Sequence, residues 1–114
     1  MFSAVRQVIT MLENDIINEN LNELSKVIAD TRDKSLIADF FKCLFTSAER
    51  ADIATRWALI KALDKKTPQR TIAKDLGLSL CKITRGSKEL RKPDSAFAKM
   101  LKKLDALPPA SDDS

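Results

Sequence analysis

Histidine and tyrosine are absent from the 114 residues, and glycine and cysteine occur only twice each. Each absence excludes something. Without histidine there is no imidazole to act as a general base and no histidine-bearing zinc site. Cys43 and Cys81 lie too far apart in sequence for a metal clip or a Cys-x-x-Cys redox motif, so both are expected as reduced, half-buried fillers. No apolar run reaches the ~18 residues of a membrane span. The most apolar stretch, MFSAVRQVITML, is interrupted by Arg6 and Gln7 and runs into acidic residues, unlike a secretory leader. The expectation is a soluble, cytoplasmic protein with no metal and no membrane partner.

Scarce glycine and proline set against abundant Ala, Leu, Lys, Asp and Glu favour helices over strands. We therefore expect an all-α fold: a single domain over residues 1–106, with a polar tail over 107–114. A helical chain of this length often completes its core by pairing with a second copy.

The formal net charge of +4 hides a division. From Lys65 to Lys103 there are 12 Lys or Arg and 3 Asp or Glu, a balance of +9, whereas the remaining residues carry 8 and 13, a balance of −5. A cation concentrated in one third of the chain points to a phosphate-bearing partner more than to an ordinary solvated surface.

Apolar residues Val5, Ile9, Leu12, Ile16, Leu21, Leu24 and Ile28 recur at roughly helical spacing, with one long helix or two helices broken near Asn18–Asn20 both open. A short helix from about Asp33 to Cys43 follows. The crowding of Leu36, Ile37, Phe40, Phe41, Leu44 and Phe45 there exceeds what one face hides in a small monomer, so a homodimer is expected. Thr46 and Glu49 have capping-box spacing and open a helix to about Leu63, which should be the most buried element. Thr67 is expected to cap the next helix, with Pro68 at its first position.

The stretch QRTIAKDLGLSLCKITRGSKELRK carries the main signal. Two short helices meet at Gly77, with Ile72, Ala73, Leu76, Leu78 and Ile83 spaced to pack them together, and Ser79 caps the second, from about Leu80 to Arg91. That is a helix-turn-helix, over about residues 68–92. Lys82, Thr84, Arg85, Lys88 and Arg91 face outward, as required to reach bases and phosphates in a major groove. Gln69 and Arg70 sit at the first helix's N-terminus, where backbone N–H groups also attract phosphate. With Leu80 and Cys81 at the start of the second helix, the expected DNA-facing set is Gln69, Arg70, Leu80, Cys81, Lys82, Thr84, Lys88 and Arg91. Pro93 stops the second helix, and Asp94 or Ser95 starts a last one. Gly86 is the anomaly: glycine inside a helix costs about 1 kcal/mol relative to alanine and leaves a space, which beside Arg85 suggests room for a ligand, with a flexible point in a weakly stable helix as the alternative.

FTSAERADIATR and QRTIAKDLG…ITRGSKELRK resemble the tryptophan-responsive operon repressors of the Trp repressor family, over about Leu21 to Leu104. The match lies in the capped Thr-x-x-Glu-Arg helix start, the Thr55-Arg56 pair and the Ile-Thr-Arg-Gly-Ser string. The resemblance implies an intertwined all-α homodimer of six helices per subunit, with L-tryptophan between the dimer core and each reading helix. It implies that Arg56 and Arg85 sandwich the indole, cation over π face. It also implies that Arg85 and Thr46 hold the carboxylate, that the carbonyls of Cys43 and Phe45 receive the ammonium, and that Gly86 leaves room for the ring. Glu89 stands where the family has a serine hydroxyl near the ammonium; a carboxylate there attracts an ammonium more strongly, or pairs with a nearby Lys or Arg. The connector from Arg56 to Gln69 is about one residue shorter than in the family pattern, and the N-terminal arm is more apolar.

The function implied is a non-enzymatic repressor that binds a palindromic operator with L-tryptophan as co-repressor and blocks transcription initiation of tryptophan-related genes. Taken without the resemblance, the residues leave open a helix-turn-helix regulator that is constitutive or responds to a different small ligand.

Overall fold

Three short polar side chains set where three helices begin. The Asp33 carboxylate accepts the Leu36 N–H at 3.2 Å, the Ser79 hydroxyl accepts the Lys82 N–H at 3.3 Å, and the Ser95 hydroxyl accepts the Ala98 N–H at 3.1 Å. Each satisfies a backbone donor that the first helical turn leaves orphaned. The computed structural model describes residues 2–108. Among them are six helices and no strand: α1 (Phe2–Ala29), α2 (Lys34–Leu44), α3 (Ser47–Asp64), α4 (Gln69–Leu76), α5 (Leu80–Arg91) and α6 (Ala96–Asp105). The fold is all-α. From residue 109 onward the expected polar tail lies outside the described residues.

One expected cap shifts by a residue, and one open choice is resolved. Pro68 occupies the N-cap of α4 itself, at φ −56° and ψ 139°, and no side chain caps that end. An extended proline already directs its carbonyl along the new helix axis, and it accepts the Ile72 N–H at 3.1 Å; the Thr67 N–H instead returns to Ala62 O at 3.0 Å. At the start of α6, Ser95 is the cap, while Asp94 takes a left-handed conformation at φ 51°.

Helices α3 and α4 both end on a left-handed residue. At Gly77, φ is 64° and the Leu78 N–H reaches back to Ala73 O at 3.3 Å. Glycine adopts this conformation without steric cost. At the end of α3, Lys66 holds φ 60° with the Lys66 N–H on Leu63 O and the Thr67 N–H on Ala62 O. A lysine there bears the Cβ strain that glycine avoids.

The chain falls into two compact units that divide between Thr46 and Ser47. In the first, α1 is one uninterrupted helix. The Asn20 amide donates to Ile16 O and the Ser25 hydroxyl to Leu21 O, each at 2.7 Å, so these polar side chains fold back on their own helix rather than breaking it. The apolar residues of α1 do not form one stripe. At about 100° per residue, the group Val8, Leu12, Ile16 and the group Ile17, Leu21, Leu24, Ile28 are rotated by roughly 150° from each other. The side chains of Val5 and Ile9 lie outside those described. No residue of α2 is buried.

The second unit closes a core. Leu59 of α3, Ile72 of α4 and Ile83 of α5 are buried together, with Ala62, Leu63, Ala73, Leu76 and Leu78 packed around them. This is the packing set expected from the helix-turn-helix pattern, joined by Leu59, Ala62 and Leu63 of α3. Helix α5 packs on α3, α4 and α6. The expectation that α3 is the most buried element is not met: it buries Leu59 and Ile60 while Ile53, two turns earlier, is exposed, and the shorter α5 buries Ile83, Gly86 and Ser87 because it packs on three helices.

Candidate functional site

Gly86 is buried on the side of α5 that meets α3. A Cβ there would sit 3.2 Å from Leu59 Cδ2 and 3.3 Å from Leu63 Cδ1. The space left by the missing side chain is therefore filled by two leucines, and close approach of the helices is reason enough for the glycine. This corrects the inference that the gap itself was room for a ligand. Space does exist beside it, along the same seam.

A cleft of about 320 Å³ opens between α3 and α5, within the ~300–1,000 Å³ range of small-molecule sites. Its apolar floor is Leu59, Ile60, Leu78 and Phe97, and Gly86 lies on its wall. Charged groups of both signs surround the floor: Arg56 and Asp52 from α3, and Lys82, Arg85 and Glu89 from α5. Helical spacing explains the arrangement. Asp52, Thr55, Arg56, Leu59 and Ile60 follow one face of α3, and Lys82, Arg85, Gly86 and Glu89 one face of α5. An apolar floor between cations of two helices suits a flat ring with a charged end. Among the described residues, no ion pair ties Arg56 to Asp52, the plain structural role an arginine at this position would otherwise have.

Of the ligand residues expected from sequence, Arg56, Arg85, Gly86 and Glu89 line this one cleft. Cys43, Phe45 and Thr46 belong to the first unit, Cys43 near the end of α2, Phe45 at its C-cap and Thr46 immediately before α3. Asp52, Thr55, Leu59, Ile60, Leu78 and Phe97 were not among the expected ligand residues. The first four are within one turn of Arg56 and could have been found by extending its helical face; nothing in the sequence ties Phe97 to the cleft.

The adjoining face of α5 carries a more open groove lined by Leu80, Cys81, Thr84, Arg85, Lys88, Glu89 and Lys92. Leu80, Cys81, Thr84 and Lys88 are therefore together on one surface, as expected of a reading helix. Gln69, Arg70 and Arg91 are also exposed. Lys82 is exposed but borders the cleft instead of this groove. Arg85 and Glu89 line both. Glu89 makes an ion pair there, its carboxylate 2.8 Å from Lys92 Nζ.

A family model described as Trp repressor protein matches residues 19–105. The chain belongs to the Trp repressor family. Its relatives include the Trp operon repressor homolog of Chlamydia caviae, 40% identical over 68 residues that cover 59% of this chain and 67% of the relative. The homolog of Chlamydia trachomatis serovar L2 is 37% identical over 71 residues, covering 61% and 76%. That of Mannheimia succiniciproducens is 34% identical over 91 residues, covering 76% and 90%. No solved structure gives a significant match. The Trp repressor family is one of helix-turn-helix, DNA-binding transcriptional regulators, not a class of enzymes. Its match spans both the cleft and the groove, and it leaves out the first 18 residues, which carry the upstream stripe of α1.

Proposed function

We propose that this chain is a homodimeric repressor that takes L-tryptophan into the α3–α5 cleft as co-repressor and then binds a palindromic operator, acting in the cytoplasm on tryptophan-related genes. The observation that carries the reading is that Arg56 on α3 and, far from it in sequence, Arg85, Gly86 and Glu89 on α5 border a single cleft beside the face of α5 that presents Thr84 and Lys88. The indole lies between the Arg56 and Arg85 guanidinium groups, and its amino-acid end meets the charged rim.

The ligand works by position. A dimeric helix-turn-helix protein, in this family as in others, must set two reading helices one turn of DNA apart, ~34 Å. A ring wedged behind α5 favours the spacing that fits, and the amino acid undergoes no reaction. Dimerisation is supported by the apolar surface of the first unit, where Leu36, Phe41 and Leu44 of α2 and Leu21 and Val27 of α1 are all exposed in one chain.

The test is Arg56→Ala. Dimer and weak non-specific DNA binding should survive, while most of the tryptophan-dependent gain in operator affinity disappears, a coupling of typically about 1–3 kcal/mol. Operator fragments selected from random sequence, titrated with and without L-tryptophan, measure it. A wild-type response in the variant would remove Arg56 from the site.

A further inference from the structure

Glu89 touches both working faces of α5. It lines the cleft and the outer groove, and its carboxylate is paired with Lys92, three residues on, at the C-cap of the helix. The two side chains are 48% and 62% exposed. A pair that open to water holds weakly and yields to a better partner. Each member has such a partner on a different side: an ammonium in the cleft for the carboxylate, a DNA phosphate at the groove for the lysine.

We propose that Glu89 exchanges one cation for another and so couples the two faces by charge. This rests on the reading of the cleft as an amino-acid site. In the empty protein Glu89 neutralises Lys92, and duplex DNA must break that pair to use the lysine. When an amino acid occupies the cleft, its ammonium engages the Glu89 carboxylate. Lys92 then stands uncompensated beside Lys88 and Arg91 and takes a phosphate. Linkage makes the effect mutual: DNA that holds Lys92 frees Glu89 for the ammonium and tightens ligand binding. No movement of α5 is needed, so the exchange adds to any positional effect of the ring.

Its signature is in the salt dependence, because each phosphate neutralised by a cation adds about 0.9 to the slope of log affinity against log salt. The experiment titrates the full chain with a random-sequence duplex across a sodium chloride series, with and without saturating L-tryptophan, and follows ligand binding by calorimetry in the same buffers. For the unsubstituted chain, tryptophan should steepen the slope by about 0.9 for each Lys92 released. Glu89→Gln should show the steeper slope without ligand, and Lys92→Gln the shallow slope with or without it, although tryptophan still binds the latter. The ligand-free slope of Glu89→Gln decides the matter whatever that variant's own affinity for tryptophan; a slope equal to that of the unsubstituted chain without ligand overturns the exchange. If tryptophan binds the unsubstituted chain and strengthens DNA binding at constant slope, the exchange falls and the co-repressor reading stands. If tryptophan gives no heat, both fall.

Discussion

The two halves of this chain use similar apolar material to opposite ends. From Ser47 onward, α3–α6 bury Leu59, Ile72 and Ile83 against one another and leave their charges outside. Before it, α1 and α2 contain no buried described residue, and Met11, Leu12, Ile16, Leu21 and Leu36 are each more than half exposed. Isolated exposed leucines need no explanation, but a whole unit of them does. Labour is divided between them: one half supplies the cleft and the reading helix within a single chain, while the other holds the apolar surface that the proposed homodimer would cover.

The most forceful way to break this comparison is to charge the exposed face of α2. Phe41→Glu combined with Leu44→Glu should abolish the dimer, at about 1.5–3 kcal/mol per apolar side chain withheld from the interface, and sedimentation at micromolar concentration would show a chain of half the native mass. In the other unit the corresponding blow is internal. Ile83 is 0% exposed, and Ile83→Ala should cost about 2–5 kcal/mol in urea unfolding. Gly86→Ala sharpens the account of the seam. It gains about 1 kcal/mol of helix propensity but forces a methyl onto Leu59 and Leu63, at about 1–3 kcal/mol of overpacking, so a net loss near 1 kcal/mol is expected by the same measurement. Two substitutions of comparable size form a matched pair. At Gly77 nothing lies within 4 Å of an added Cβ, so Gly77→Ala should cost only the left-handed strain, about 1–2 kcal/mol, and Lys66→Gly should recover up to about 1 kcal/mol by relieving the same strain. Thermal midpoints moving in the same direction for both would show that a left-handed backbone is not the common cause.

The helix-turn-helix was legible because local chemistry and packing agree there. Ser79 caps, Gly77 turns, and Ile72, Ala73, Leu76, Leu78 and Ile83 pack as their spacing requires. Legibility falls where a residue's reason lies on another helix. Gly86 looks like a void in its own sequence, and only the crossing of α3 shows what fills it. Leu59 carries no mark in its own helix that sets it apart, yet it joins Ile72 and Ile83 in the core. The continuity of α1 was undecidable because Asn and Ser bond equally well to a turn or to their own helix. The cleft was half legible: the cations at Arg56 and Arg85 stand out against the family pattern, while Asp52 and Phe97 acquire meaning only from the packing of α3, α5 and α6.

Calorimetric titration of the full chain with L-tryptophan tests whether the proposed site between α3 and α5 takes this amino acid. Binding should saturate at one site per chain, weaken when indole derivatives lack either the carboxylate or the ammonium, and be lost in Arg56→Ala. An absence of heat and of any thermal shift with tryptophan, in a protein that still binds duplex DNA, would contradict it.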